Sequence, residues 1–482
     1  MNLHLLKKTL AVTLMALMAS YTADAQLGNL KYKSKRVADK IDRFVDHNKD
    51  KGEKSAPVAA VAGTIFYVSL ATGSARGDGS IEKPLKDVQK AIDMASDGDV
   101  VRIASGNYLG NLDRGWLEIK NKYVSLEGGW NDDFTARDPF TNITRIQPSV
   151  AQRGTLGNAV LRIEATGNKA NQIVIDGLFL DLGLVHEYCP ADPSDPRWGC
   201  PEGCETGRIK PVGTPPNKTI RLIGGKVAGR LVIRNCMFLN ASFNGIIMTN
   251  MGGEWEICNN VFVSNLYAAC EVTGGLNQQT GAHQSKVDFH HNTVMFSWPT
   301  SKEMESMGYG YRFRNGCDHD VHHNIFGCNN FGALDGGWDD SNLPEANRKI
   351  CSAYDNHFFM NKGDIVLAGT SGGGWLYVPG KRFDEVMMLK EYERNAEIAG
   401  DSKLKDVIDP AYLKGYATLE IFQESSYDPN SAANLYREAH GMNKQGTMTT
   451  RVSMFGNRYN FDKAIEFFGA EDGYGAQRQI AQ

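Results

Sequence analysis

Asn260, Asn292, Asn324 and Asn356 fall 32 residues apart three times in succession, each inside the same local phrase: ICNNVF, FHHNTV, VHHNIF and AYDNHF. An apolar residue stands three before each Asn and another two after it. A fifth copy, IRNCMF, places Cys236 at the Asn position 24 residues before Asn260. A unit of this length cannot bury its own apolar face, so repeated units must stack on one another. The alternation around the Asn has period two, which makes the stacked element a strand. The pattern therefore predicts an all-β solenoid, a parallel β-helix. Its Asn side chains form an internal hydrogen-bonded ladder, and Phe238, Phe262, Val294, Phe326 and Phe358 stack inside.

The ends of the chain differ from this middle. Lys7 and Lys8, an apolar run from Leu10 to Ala19, and Ala23-Asp24-Ala25 read as a secretory signal peptide over residues 1–25. That run is too short to span a bilayer, and no later stretch is apolar enough to do so. The expectation is an exported protein, periplasmic or extracellular. Residues 26–63 read as a polar linker, 64–378 as the β-helix and 379–482 as a C-terminal extension. In that extension FDEVMMLKEYERNAEIAG and SAANLYREAHG have helical character. Val88, Ala91, Ile92 and Ala95 follow the i, i+3, i+4, i+7 pattern of an amphipathic helix, suited to cap the open end of the solenoid.

A net charge of −4 with mixed signs gives no electrostatic case for nucleic acid. Nine cysteines in an exported chain permit disulfides, and the odd number leaves at least one unpaired. Cys189, Cys200 and Cys204 share one Pro/Gly-rich insertion, which a local bridge would staple; with His186 nearby, a zinc knuckle is the alternative.

The opening GDGS…P…AI…A..GD.V.I..G.Y spacing and the later N-x-F coils resemble the exported right-handed β-helix proteins related to pectate lyases, over about residues 64–378. The resemblance implies a right-handed parallel β-helix with an N-terminal helical cap and a partly helical extension. It implies carbohydrate chemistry only broadly, because that fold hosts lyases, hydrolases, epimerases and adhesins. The Gly-His-Gly and Asn-Thr-Asp motifs of the polygalacturonase-type hydrolases are absent. No lyase motif set is matched, so no family site transfers residue by residue.

Aligning a second strand by the glycines that follow it gives IIMTN, CEVTGG, RFRNG, ALDGG and VLAGT. With Met248, Val272, Phe313, Leu334 and Leu367 inward, one outward row reads Ile247, Glu271, Arg312, Ala333 and the next Thr249, Thr273, Arg314, Asp335. Arginines between carboxylates suit an acidic sugar. Arg312 and Arg314 are expected to neutralise a uronate carboxylate, and His319 or Tyr309 to move the proton. Glu271 and Asp335 would orient the arginines or hold a cation such as Ca²⁺. His283 and Trp338 are further candidates for substrate binding, and Trp298 and Trp375 could stack on sugar rings or fill the core.

Six of eleven histidines lie between 283 and 323; the alignment puts His290 with His322 and Asp288 with Asp320 on one outward face, where stacked Asp/His pairs could bind a metal or act in acid/base work, and the HHN phrases are read chiefly as decoration of that face. The composite expectation is a monomeric polysaccharide lyase acting on an acidic polysaccharide by β-elimination. The alternatives are a C5-epimerase, a glycoside hydrolase using Glu271 with Asp335 or Asp335 with Asp339, and a non-catalytic carbohydrate-binding or adhesion solenoid.

Overall fold

The computed structural model describes residues 63–109, 116–148, 159–167, 170–183, 220–275, 285–298, 308–330, 332–336, 343–344, 347–361, 365–368, 375–378, 389–391, 396–397, 403–417 and 458–479. All of them fall within one compact unit, Ala62–Gln482. The expected signal peptide, the linker up to residue 62, and the Cys189–Cys204 insertion lie outside the described residues.

Among the described residues the strands form three sheets of ten, nine and nine. Each coil from the one that opens with Val100–Ala104 to the one that closes with Ile365–Ala368 contributes one strand to each sheet, and every neighbouring pair is parallel except the last pair of the third sheet. This is a parallel β-helix. The first sheet runs from Ile65–Val68 through Gly253–Cys258, Ser285–His290 and Asp318–His322 to Leu389–Glu391. The second carries the short strands after the Asn corner, such as Val261–Val263 and Ile325–Gly327. The third carries Ala268–Gly274, Tyr309–Phe313 and Gly332–Asp335.

The repeat phrase works as its spacing predicts. The Asn260 side chain donates to Asn292 Oδ1 at 3.0 Å, Asn292 to Asn324 at 3.1 Å and Asn324 to Asn356 at 2.9 Å. Each side-chain NH₂ also reaches a carbonyl inside the coil, and each Oδ1 accepts the backbone N–H of the coil before. The corner thus satisfies groups that burial would otherwise strand. The residue before each ladder position, Asn235, Asn259, His291, His323 or Asp355, has φ between 51 and 54°. The sharp corner needs that left-handed turn, which Asn and Asp tolerate well and His is also enriched in. Phe238, Phe262, Val294, Phe326 and Phe358 stand in register and buried, as expected.

Five residues on, a second ladder turns the next corner. Asn265 Oδ1 accepts the N–H of Ala241, Asn329 accepts from Ser297, and Asn361 accepts from Asn329 through both backbone and side chain. The Asn-x₄-Asn spacing of 260/265, 324/329 and 356/361 was its signal in the sequence, interrupted at Ser297.

The helix Val88–Met94 is capped by Asp87, whose carboxylate accepts the N–H groups of Gln89 and Lys90. Val88, Ala91 and Ile92 are buried with the first strands in the interior core, so this helix closes that end. At the other end the chain departs from expectation. Leu389–Glu391 and Ala396–Glu397, in a segment that reads as helical, are strands that extend the first and second sheets beyond residue 378. Three-residue strands carry too little sequence to show a period, and the Glu/Lys content outweighs them. The SAANLYREAHG segment lies outside the described residues.

The extension packs along the solenoid. Residues 403–417 and 458–479 cover the outer face of the second sheet, and Phe179, Val263, Phe296 and Trp298 form a second core with Tyr412, Tyr416, Tyr459 and Phe468. The second sheet is buried on both faces, which explains why its strands read as unbroken apolar runs. Trp298 is one of these core residues; its indole donates to Tyr412 Oη at 2.9 Å.

Candidate active site

The outer face of the third sheet brings Glu271, Arg312 and Asp335 into direct register on three successive coils. This differs by two residues from the sequence alignment, which set Ala333 beside Arg312. Each of these strands opens with two consecutive inward residues, Ala269-Cys270, Gly310-Tyr311 and Ala333-Leu334, before alternation resumes. At Gly310 a Cβ would sit 2.5 Å from the Ala333 carbonyl and 2.8 Å from the Phe326 ring, so only glycine fits. Leu334 accordingly stacks on Tyr311, and Asp335 on Arg312.

Arg312 is fully buried. Its Nε donates to Asp335 Oδ2 at 2.5 Å, and its Nη1 lies 3.6 Å from Glu271 Oε2. The guanidinium sits over two phenol rings, 4.6 Å from Tyr309 and 4.9 Å from Tyr267. Burial works against its charge, but Asp335 and Glu271 outweigh that penalty and hold the guanidinium protonated beyond its usual range. Arg314 is the reachable cation: its side chain is 25% exposed, and its Nε donates to Glu271 Oε1 at 2.9 Å. Glu271 and Asp335 serve here as partners of arginine, and a Ca²⁺ ion between them would have to displace Arg312.

Two expected proton carriers are buried. His319 is 2% exposed and faces the interior of the first-sheet strand Asp318–His322. Its Nδ1 is 2.8 Å from Tyr311 Oη, and its Nε2 meets the backbone of Arg314. Alternation along that strand turns Asp318 and Asp320 outward and so forces His319 in; it anchors the strand end and does not lean over the cleft. Tyr309 has no exposed surface and lies against Arg312, its hydroxyl pushed far up by burial and then by the Asp335 charge.

The residue missed in the sequence is Tyr267. Partly exposed, its hydroxyl lies 3.4 Å from Arg314 Nη2, and its ring stacks on Phe243 at 4.5 Å. Burial raises its pKa, with Arg312 and Arg314 pulling in the opposite direction. The 24-residue spacing of Phe243 and Tyr267 matches that of Phe238 and Phe262, which was the available signal. His283 and Trp338 lie outside the described residues; Trp375 begins the antiparallel edge strand Trp375–Val378.

The histidine phrases form a separate face on the first sheet. Asp288 registers with Asp320 and His290 with His322, as aligned from the sequence. His290 stacks on His322 at 5.1 Å, and His291 on His323 at 5.0 Å. Burial and then the neighbouring imidazoles push the His291 pKa down to about 4.

No family model and no curated protein matches the chain. Among solved structures, the pectin methylesterase of Aspergillus niger is 12% identical, with 72% of this chain and 89% of that one covered and a TM-score of 0.30. A pectin methylesterase variant in complex with a hexasaccharide is 11% identical over 71% and 92%, with a TM-score of 0.28. XylC in complex with xylose is 11% identical over 65% and 73%, with a TM-score of 0.27. Likeness at this level carries no argument about chemistry, and the fold stands on the strand registers above. Among the described residues no helix is long and apolar enough to cross a membrane.

Proposed function

We propose that this protein is an exported carbohydrate-active enzyme that cleaves a uronic acid-containing polysaccharide by β-elimination on the outer face of its third sheet. The observation that carries this reading is the registered row Glu271–Arg312–Asp335 with Arg314 and Tyr267 beside it. A fully buried guanidinium on the outward face of a sheet is costly to desolvate, unlike a solvated charge pair that merely keeps a surface soluble. Arg314 receives the uronate carboxylate and, by withdrawing charge, makes the C5 proton acidic. Arg312 fixes Glu271, which in turn aims Arg314.

With His319 turned inward, Tyr267 takes over the proton chemistry. Its phenolate removes the C5 proton, and the C5–H electron pair becomes the C4–C5 double bond. The C4–O4 bond breaks toward oxygen, and the departing O4 takes the proton back from Tyr267. A paired-carboxylate hydrolase fits less well, because both carboxylates are already bound to arginine.

The second reading is a non-catalytic surface for acidic glycans, favoured by the burial of His319 and Tyr309, which takes two proton carriers out of a substrate's reach. Incubation with uronate polysaccharides in D₂O separates the readings. Ultraviolet absorbance from an unsaturated chain end supports a lyase, deuterium at C5 without cleavage an epimerase, and retention on the glycan with neither signal the binding surface.

A further inference from the structure

A second chemical cluster lies on the outer face of the first sheet, apart from the arginine row. Trp255 and Ile257 enter the core, so the strand Gly253–Cys258 turns Glu256 and Cys258 outward. The next coil sets His290 directly beside Cys258. His290 Nε2 lies 3.5 Å from Glu256 Oε1, and Cys258 Sγ lies 3.8 Å from the same oxygen. One donor atom from each of the three residues lies within 4.8 Å of the others.

The two separations to Glu256 Oε1 approach the edges of a coordination tetrahedron. Bonds of about 2.0–2.1 Å to nitrogen and oxygen and about 2.3 Å to sulfur put neighbouring ligands roughly 3.3–3.6 Å apart. The surroundings orient the donors. Arg230 donates to Glu256 Oε2 at 3.0 Å, which leaves Oε1 toward Cys258 and His290. His290 Nδ1 meets His291 Nδ1 at 2.9 Å, which leaves Nε2 as the ligating nitrogen, the usual division of labour in an imidazole that binds metal. Cys258 is 3% exposed while the His290 and Glu256 side chains are 19% and 33% exposed, so the group is rooted in the sheet and open on one side.

We propose that Glu256, Cys258 and His290 form a site for a borderline divalent transition-metal ion of the Zn²⁺ class, with solvent completing the tetrahedron. A thiolate, an imidazole and one carboxylate suit such an ion far better than Ca²⁺ or Mg²⁺, which prefer oxygen alone.

The test uses the mature full-length chain, stripped of metal by a chelator under reducing conditions and titrated with Zn²⁺ and separately with Co²⁺. The expected result is a thiolate-to-cobalt charge-transfer band that Cys258→Ser abolishes, with Zn²⁺ affinity at least tenfold weaker in that variant. His291→Asn keeps the left-handed corner, since Asn235 and Asn259 hold φ of 54° in the same row. It should keep the band and weaken Zn²⁺ binding about 10- to 100-fold by removing the orienting partner. Where Cys258→Ser folds poorly, Glu256→Gln carries the affinity arm: Zn²⁺ binding should weaken at least tenfold while the thiolate band stays. Zn²⁺ affinity unchanged in either variant that folds overturns the site. So does a band that survives Cys258→Ser and is lost in Cys200→Ser, which would place the ion in the cysteine-rich insertion.

Discussion

Arg312 and Arg314 look equivalent in sequence, yet their surroundings separate what each substitution can report. Replacing Arg312 with Ala would leave Asp335, with no exposed surface, and Glu271 without their shared cation. Breaking such a buried pair costs about 3–5 kcal/mol, so Arg312→Ala should lose stability in a denaturant titration before it says anything about catalysis. Arg314 is 25% exposed and makes its ion pair at the rim, so Arg314→Ala should fold almost normally, raise KM for the uronate polymer and also lower kcat, because it removes the charge that acidifies C5. Tyr267→Phe keeps the ring on Phe243 and removes only the hydroxyl. Its kcat/KM should fall about 10²- to 10⁴-fold, the range for losing a general base or acid. Because burial raises the Tyr267 pKa from 10.0, its phenolate fraction grows with pH across neutrality and beyond. Elimination should therefore speed up steadily from pH 7 to 10, and a rate maximum near neutrality would point to an imidazole instead.

At the scale of the coil, Asn292 accepts from the backbone and side chain of Asn260 and donates to Ile257 O and Asn324 Oδ1. Asn292→Ala would orphan the buried Asn260 N–H and the Ile257 carbonyl, at about 1–3 kcal/mol for each unsatisfied group. Asn356→Ala should cost less, because fewer coils follow it; equal losses at both positions would mean the ladder is not cooperative. This ladder was legible in the sequence because a buried amide needs a partner at the same place in every coil, which enforces a strict 32-residue period. The arginine row was legible only in part. Its residues were identified, but the two consecutive inward positions at Gly310-Tyr311 and Ala333-Leu334 shift the phase, and no residue type announces such a shift. His319 went astray for a related reason: the turn after Arg314 ends within four residues, and Asp318 and Asp320 claim the outward positions of the next strand.

The molecule as a whole is built around two apolar layers that share one sheet. Strands such as Val261–Val263 send Phe262 into the solenoid and Val261 and Val263 into the layer beneath the C-terminal segment. That segment is also tied by hydrogen bonds: Tyr459 exchanges two with the Asn240 side chain, and Asn259 accepts from Gln477 N and donates to the Gln477 and Gln479 carbonyls. These partners, Asn240 and Asn259, are left-handed corner residues, so the repeat supplies both the turns of the solenoid and the docking points for its cover. Phe468 is 1% exposed and stacks on Phe179 at 5.8 Å. Phe468→Ala should cost about 3–5 kcal/mol if this layer belongs to the cooperative fold, read as a shift in denaturant midpoint without a change in slope. Deleting residues 403–482 should go further. The second sheet would then present Met237, Val261, Val263, Met295 and Ile325 to water as one contiguous apolar stripe, and stripes of that kind drive association. Sedimentation of the shortened chain should show concentration-dependent oligomers, whereas a stable monomer would mean that the solenoid's outer face needs no cover.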